Sequence, residues 1–157
     1  MELAMNKIIA SSILSILLSS CAATTENSTN NSVEEPIKYV DLSSDEQMEV
    51  FKEYWVIKKR QEPQFPLKAA KKSLSGCVEL VIGINSDGKM AKYNIKNSYP
   101  EGLFDKSAAA ALKKWKWSAS PKNVDKTPAL TTIQLDFMVS GAQNKPEAEK
   151  QCGFSHI

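Results

Sequence analysis

The chain holds one histidine, three cysteines, six glycines and seven prolines in 157 residues, and each scarcity closes off a class of function. One histidine cannot supply a multi-histidine metal site, and His156, close to the C-terminus, reads as a tail residue. Three cysteines are too few for a small disulfide scaffold, and no Cys-x-x-Cys pair is present. Glycine and proline at these levels exclude collagen-like and low-complexity chains. Also missing are His-Glu-x-x-His, Gly-x-Ser-x-Gly and a glycine-rich phosphate loop. The carboxylates are scattered among lysines, the pattern of solvated faces. The chain is therefore read as a non-enzyme with no catalytic residue, cofactor or metal. A formal net charge of +2 is too small to argue for nucleic acid.

What is present is unevenly distributed. Residues 22 to 62 carry five Lys/Arg against nine Asp/Glu, whereas residues 63 to 140 carry twelve against six. A basic domain thus stands behind an acidic leader. Ahead of both, Lys7 precedes an apolar run from Ile8 to Leu18. That run suits a secretory signal and falls short of the roughly 20 residues that span a bilayer. It ends Leu18-Ser19-Ser20-Cys21, which resembles the bacterial lipobox; the resemblance implies that residues 1–20 are a signal peptide and that Cys21 carries a lipid. A plain signal peptide is the alternative. Ala22, where an Asp would favour inner-membrane retention, points to the outer membrane by the same resemblance. Met5 is an alternative start. Several acyl chains would anchor the protein where one would not.

Residues 21–40 read as a tether of Thr, Asn, Ser and Glu with little to bury, about 50 Å long from Ala22 to Pro36 if extended. A helical leader is predicted over 41–62: Ser44-Asp45-Glu46-Gln47 has the form of a capping box, and Met48, Phe51 and Trp55 follow as a stripe running towards Arg60. Pro63 and Pro66 stop it. Leu67 to Leu74 reads as one or two helical turns. Val78, Leu80, Ile82 and Ile84 then alternate as a strand, and Asn85-Ser86-Asp87-Gly88 turns the chain back. Ala91, Tyr93 and Ile95 alternate with Lys92, Asn94 and Lys96 as a half-buried second strand. Leu103 to Trp115 is an alanine-rich helix, with Trp115 and Trp117 as helix-end core packing, and Thr131 to Val139 is a third strand. The expected fold is α+β, a small three-stranded antiparallel sheet packed by helices, with 141–157 as a tail.

Residues 62–139 carry a recognisable pattern. Glu62-Pro63-Gln64-Phe65-Pro66 is followed by Gly76-Cys77-Val78-Glu79-Leu80, then Asp87-Gly88, Asn97-Ser98, the Phe104-Asp105 to Ala111 helix and Trp115-Lys116-Trp117. In order and spacing this resembles the C-terminal domain of TonB, the periplasmic energy transducer of Gram-negative bacteria, with Pro63, Phe65, Pro66, Gly76, Gly88 and Trp115 as the motif residues. Departures are Glu62 for Gln, Phe65 for Tyr, and Ser118 to Ser120 where a proline follows the aromatic pair. A membrane helix with an intramembrane histidine and a long proline-rich linker, which such transducers have, are not recognised here, so direct coupling to a proton motor is not expected.

The resemblance implies a partner. In the family the last strand pairs with a short segment of an outer-membrane TonB-dependent transporter, which places the partner strand here along Thr131, Thr132, Ile133, Gln134, Leu135, Asp136 and Phe137. An exposed strand edge accepts such a segment through backbone hydrogen bonds, with Thr132, Gln134 and Asp136 adjusting register from the solvent face. Cover by the 144–157 tail or by a second copy in a homodimer is the alternative, as is a structural envelope lipoprotein that keeps the fold without transduction. With Cys21 lipidated, Cys77 and Cys152 remain, an even number in an oxidising compartment. A disulfide between them is expected; two separate thiols are the alternative.

Overall fold

The computed structural model describes residues 36–153. Residues 1–35 and 154–157, and with them the expected signal peptide, Cys21, most of the expected tether and His156, lie outside the described residues. Six strands and four helices follow in chain order: β1 Val40–Asp41, α1 Met48–Tyr54, β2 Trp55–Lys59, α2 Leu67–Lys71, β3 Gly76–Ile84, β4 Met90–Tyr99, α3 Asp105–Leu112, β5 Lys116–Ala119, β6 Ala129–Phe137 and α4 Lys145–Cys152. No helix among them is long and apolar enough to cross a membrane.

β3 is the centre of the main sheet because it can be buried on both sides. It pairs antiparallel with β4 and with β6, and β1 adds to β6 in parallel, giving the order β1-β6-β3-β4. Residues directly opposite share a face, so Val78, Leu80 and Ile82 line up with Leu135, Ile133 and Thr131 on one side. That side meets α3, whose Ala108, Ala109 and Ala111 are small enough to bring the helix close to the strands, with Leu112 and Trp115 closing the layer. Phe104 stacks on Phe137 with ring centres 4.4 Å apart, and Phe65 meets both edge-on.

The architecture is α+β as the patterning predicts, with more strands than three. β2 and β5 form a second antiparallel ribbon. The leader helix does not run to Arg60: it stops at Tyr54, and Trp55 turns extended at φ −134° and ψ 135°. Trp55-Val56-Ile57 is an aromatic and β-branched run that suits a strand, and Trp117 and Ser118 opposite it supply one. Trp117 accordingly sits in β5, not at a helix end, while Trp115 closes α3. Ser44 makes no side-chain cap; it precedes a single 3-10 turn, Asp45–Gln47. In β4 the expected half-burial holds only in part. Lys96 and Ala91 are extra residues without a partner in β3, and Tyr93 stays 43% exposed because α3 is too short to cover the outermost strand.

The tail also gains structure. α4 lies against the opposite side of the sheet, where the Cys77 and Cys152 sulfurs are bonded. Asn144 accepts from Ser75 N–H and donates to Ser75 C=O, each at 2.9 Å, and Gln143 N–H donates to Ser73 C=O at 2.8 Å. The described residues form one compact unit. Its core cluster is drawn from Leu42 to Phe137, and its disulfide closes inside the same unit.

Candidate strand-pairing site

The edge assigned from sequence is β6, and its geometry follows from two hydrogen bonds. Val40 N–H donates to Pro128 C=O at 3.0 Å and Leu42 N–H to Leu130 C=O at 3.1 Å. Backbone groups alternate sides along a strand, so Leu130, Thr132, Gln134 and Asp136 point away from β3. β1 takes only the start of this edge, at Ala129 and Leu130. From Thr131 to Phe137 no strand among the described residues pairs with it.

β6 is thus not a bare edge, and its side chains are less free than the alternation suggested. Thr131 is 2% exposed and faces the core. Thr132 Oγ1 donates to Ser43 C=O at 2.6 Å, so the leader grips the strand where β1 leaves it. Gln134 Nε2 donates both to Asp136 Oδ1 and to Cys152 C=O, each at 2.9 Å. Only Gln134 and Asp136 are exposed; Thr132 and Ile133 are half-buried, and Leu135 and Phe137 belong to the core. The strand itself ends at Phe137, short of Val139. α4 covers the sheet face beside Cys77 and leaves the outward backbone groups of Gln134 and Asp136 without a strand partner. On the core side of the edge an open groove of about 410 Å³ runs between Ile133 and the leader, walled by Met48, Phe51, Val56 and Ile57.

The motif residues serve a different purpose: they set the 60–67 segment against α3. Trp115 Nε1 donates to Gln61 C=O at 2.8 Å, and the Arg60 guanidinium lies 4.9 Å above the Trp115 ring. Ser107 Oγ donates to Gln64 C=O. Pro63 and Phe65 are half-buried along this segment, and Pro66 leads into α2 with its carbonyl accepting from Ala69 and Ala70. Gly76 lies against the Tyr99 carbonyl and the Phe104 ring, where no side chain fits. Gly88 lies at the β3–β4 turn, its carbonyl accepting from Trp117 N–H at 2.9 Å. Among the described residues no three His, Cys, Asp or Glu side chains gather as metal ligands.

Ser43 and its neighbours were missed by sequence reading, since a two-residue strand carries no periodicity; the apolar–acidic–apolar Val40-Asp41-Leu42 is the only hint. Asp41 holds this strap in shape. Hydrogen bonds from the Ser43 hydroxyl and N–H, and more weakly the charge of Lys92, hold its carboxyl below the usual range. A depressed folded value means that the stabilisation is present above the unfolded value of about 3.9 and is lost as pH falls through the lower folded one. Amide exchange at Leu42 and Ser43 is expected to accelerate selectively below that pH. An Asp41→Asn variant with the same acid-dependent acceleration would refute this role.

The model of the Gram-negative bacterial TonB protein C-terminal matches residues 61–139. Protein TonB of Klebsiella aerogenes is 26% identical over 85 residues, covering 54% of this chain and 33% of that protein. Protein TonB of Xanthomonas campestris pv. campestris is 24% identical over 83 residues, covering 53% and 37%. The chain therefore spans little more than a third of the length of these relatives. The solution structure of the Pseudomonas aeruginosa TonB C-terminal domain superposes with a TM-score of 0.50 at 18% identity, covering 64% of this chain and 94% of that one, and shares the fold. With half of its sequence matched by the family model and its sheet and helices arranged alike, the chain belongs to the TonB C-terminal domain family.

Proposed function

We propose that the chain is a lipid-anchored, periplasm-facing binding module that receives an extended segment of an outer-membrane transporter, or of another envelope protein, along β6. The reading makes residues 1–20 a signal peptide, Cys21 the lipid attachment site on the outer membrane, residues 21–40 the tether and 63–140 the partner-binding domain in TonB-dependent transport. One observation carries it: among the described residues, no strand lies beside the outward N–H and C=O groups of Gln134 and Asp136. A strand added there pairs through its backbone, and alternate side chains fall over the Ile133 groove.

The test is a titration of residues 36–157 with synthetic peptides from transporter N-terminal segments, followed by backbone amide shifts. Shifts along 131–137 are expected. Asp136→Pro removes an outward donor while sparing the ladder to β3, and it is expected to weaken binding by about tenfold, the order of one charge-free hydrogen bond. Absence of shifts on this strand at millimolar peptide would sink the reading. The seating of β1 on Ala129 and Leu130 favours a second one, a structural envelope lipoprotein whose edge is closed by its own leader.

A further inference from the structure

A surface outside the strand edge has an unusual charge. Residues 58–72 carry six cations and one acid, and residues 105–116 carry four and one. The two stretches are brought together by the fold: Leu67, Lys106 and Lys114 line one wide, open groove between the 61–67 segment and α3, about 740 Å³ in volume, whose one acid, Glu62, is paired with Arg60. Lys68 and Lys71 lie in α2, directly after Leu67, and Lys72 follows its end. In the ribbon that flanks the 60–67 segment, Lys59 of β2 stands directly opposite Lys116 of β5, a like-charge pairing that destabilises a ribbon. Among the described residues the ion pairs are made by Lys52, Arg60, Lys96, Lys122 and Lys145. No lysine of this face is ion-paired among the described residues.

We propose that this lysine face rests on an anionic lipid surface. The choice of cation supports a lipid over a folded acidic protein. Protein interfaces favour arginine, which grips carboxylates bidentately, and deplete lysine; the single arginine of the chain, Arg60, is turned onto Trp115 and Glu62. Lys106 in the first turn of α3 and Lys114 just beyond its end both line this groove, so the cations are spread along it rather than gathered at one point. Leu67, 78% exposed between Pro66 and Lys68, offers an apolar tip to the interfacial layer. The proposal is independent of strand pairing and of Cys21, and the experiment is done without either.

Residues 36–157, with the disulfide formed, are sedimented with vesicles of phosphatidylcholine alone or mixed in equal parts with phosphatidylglycerol. Binding is expected only to the anionic vesicles and to fall steeply as salt is raised. The triple variant Lys68→Gln, Lys106→Gln, Lys114→Gln is expected to lose about tenfold or more in partitioning. A control triple, Lys92→Gln, Lys145→Gln, Lys150→Gln, removes the same charge from the opposite side of the sheet and is expected to stay within about threefold of the parent. Unchanged thermal midpoints show that both remain folded. No sedimentation at low salt overturns the proposal, as does an equal loss in the control. Retention on polyglutamate without vesicle binding overturns it too, in favour of an acidic protein.

Discussion

Replacing Gly88 with alanine is expected to lower the thermal midpoint by about 10 °C or more, an effect of about 3 kcal/mol on a domain of this size. Two costs add. Gly88 has φ +67°, a left-handed conformation that costs a residue bearing a Cβ about 1–2 kcal/mol. The added Cβ also falls on the Trp117 carbonyl oxygen, and the obstacle is backbone, which no rotamer change relieves. The damage spreads because the Gly88 carbonyl accepts from Trp117 N–H. Pushing the turn away loosens β5, and with it β2, whose Val56 and Ile57 wall the groove beside β6. Gly102→Ala is the internal control. Gly102 has φ +72° with nothing within 4 Å, so it carries the conformational cost without the collision. Calorimetry on the two variants separates the terms; equal shifts would show that the contact with Trp117 is immaterial.

Removing the disulfide through a Cys77→Ala, Cys152→Ala double variant is expected to cost about 2–5 kcal/mol. The bond spans 75 residues of sequence, and a closed loop of that length restricts the unfolded chain by about 4 to 5 kcal/mol in the chain-entropy model. Among the described residues, the hydrogen bonds that tie α4 down afterwards are those of Asn144 with Ser75 and of Gln143 with Ser73 at its start, and that of Gln134 with the Cys152 carbonyl at its end. The loss is therefore expected to be uneven. Hydrogen exchange should rise most at the C-terminal turn of α4, while the β3–β6 ladder keeps its protection relative to the rest. Intact mass before and after reduction and alkylation fixes the starting state. Two alkylatable thiols in periplasmically produced protein, or a midpoint moved by less than about 3 °C, would remove the bond from the account.

The two glycines and the two cysteines also show what kind of information was legible in advance. Val78, Leu80, Ile82 and Ile84 alternate because β3 has one face on α3, and that requirement repeats every second residue. Gly88 is read from a four-residue turn. Each signal is local, so the strand, the hairpin and the alanine-rich helix were visible, although α3 proved to be Asp105–Leu112 and α2 Leu67–Lys71. Trp55 was misread for an equally physical reason. Met48, Phe51 and Trp55 do lie at helical spacing, and the first turns obey it, but the aromatic and β-branched Trp55-Val56-Ile57 gains more by pairing with Trp117 and Ser118, sixty residues away.

The candidate site divides in the same way. That residues 131 to 137 form a strand follows from their own alternation. Which of those strand residues remain available was decided elsewhere. Val40 and Leu42 take Pro128 and Leu130, Ser43 takes the Thr132 hydroxyl, and the Cys152 carbonyl takes the Gln134 amide. Hydrogen bonds between residues eighteen to ninety positions apart leave no trace in local periodicity, because either partner would satisfy its own segment equally well in water. The alternating strands determined the layers of the fold. Only the tertiary structure decided how much of β6 is left open, since an edge is defined by what fails to cover it.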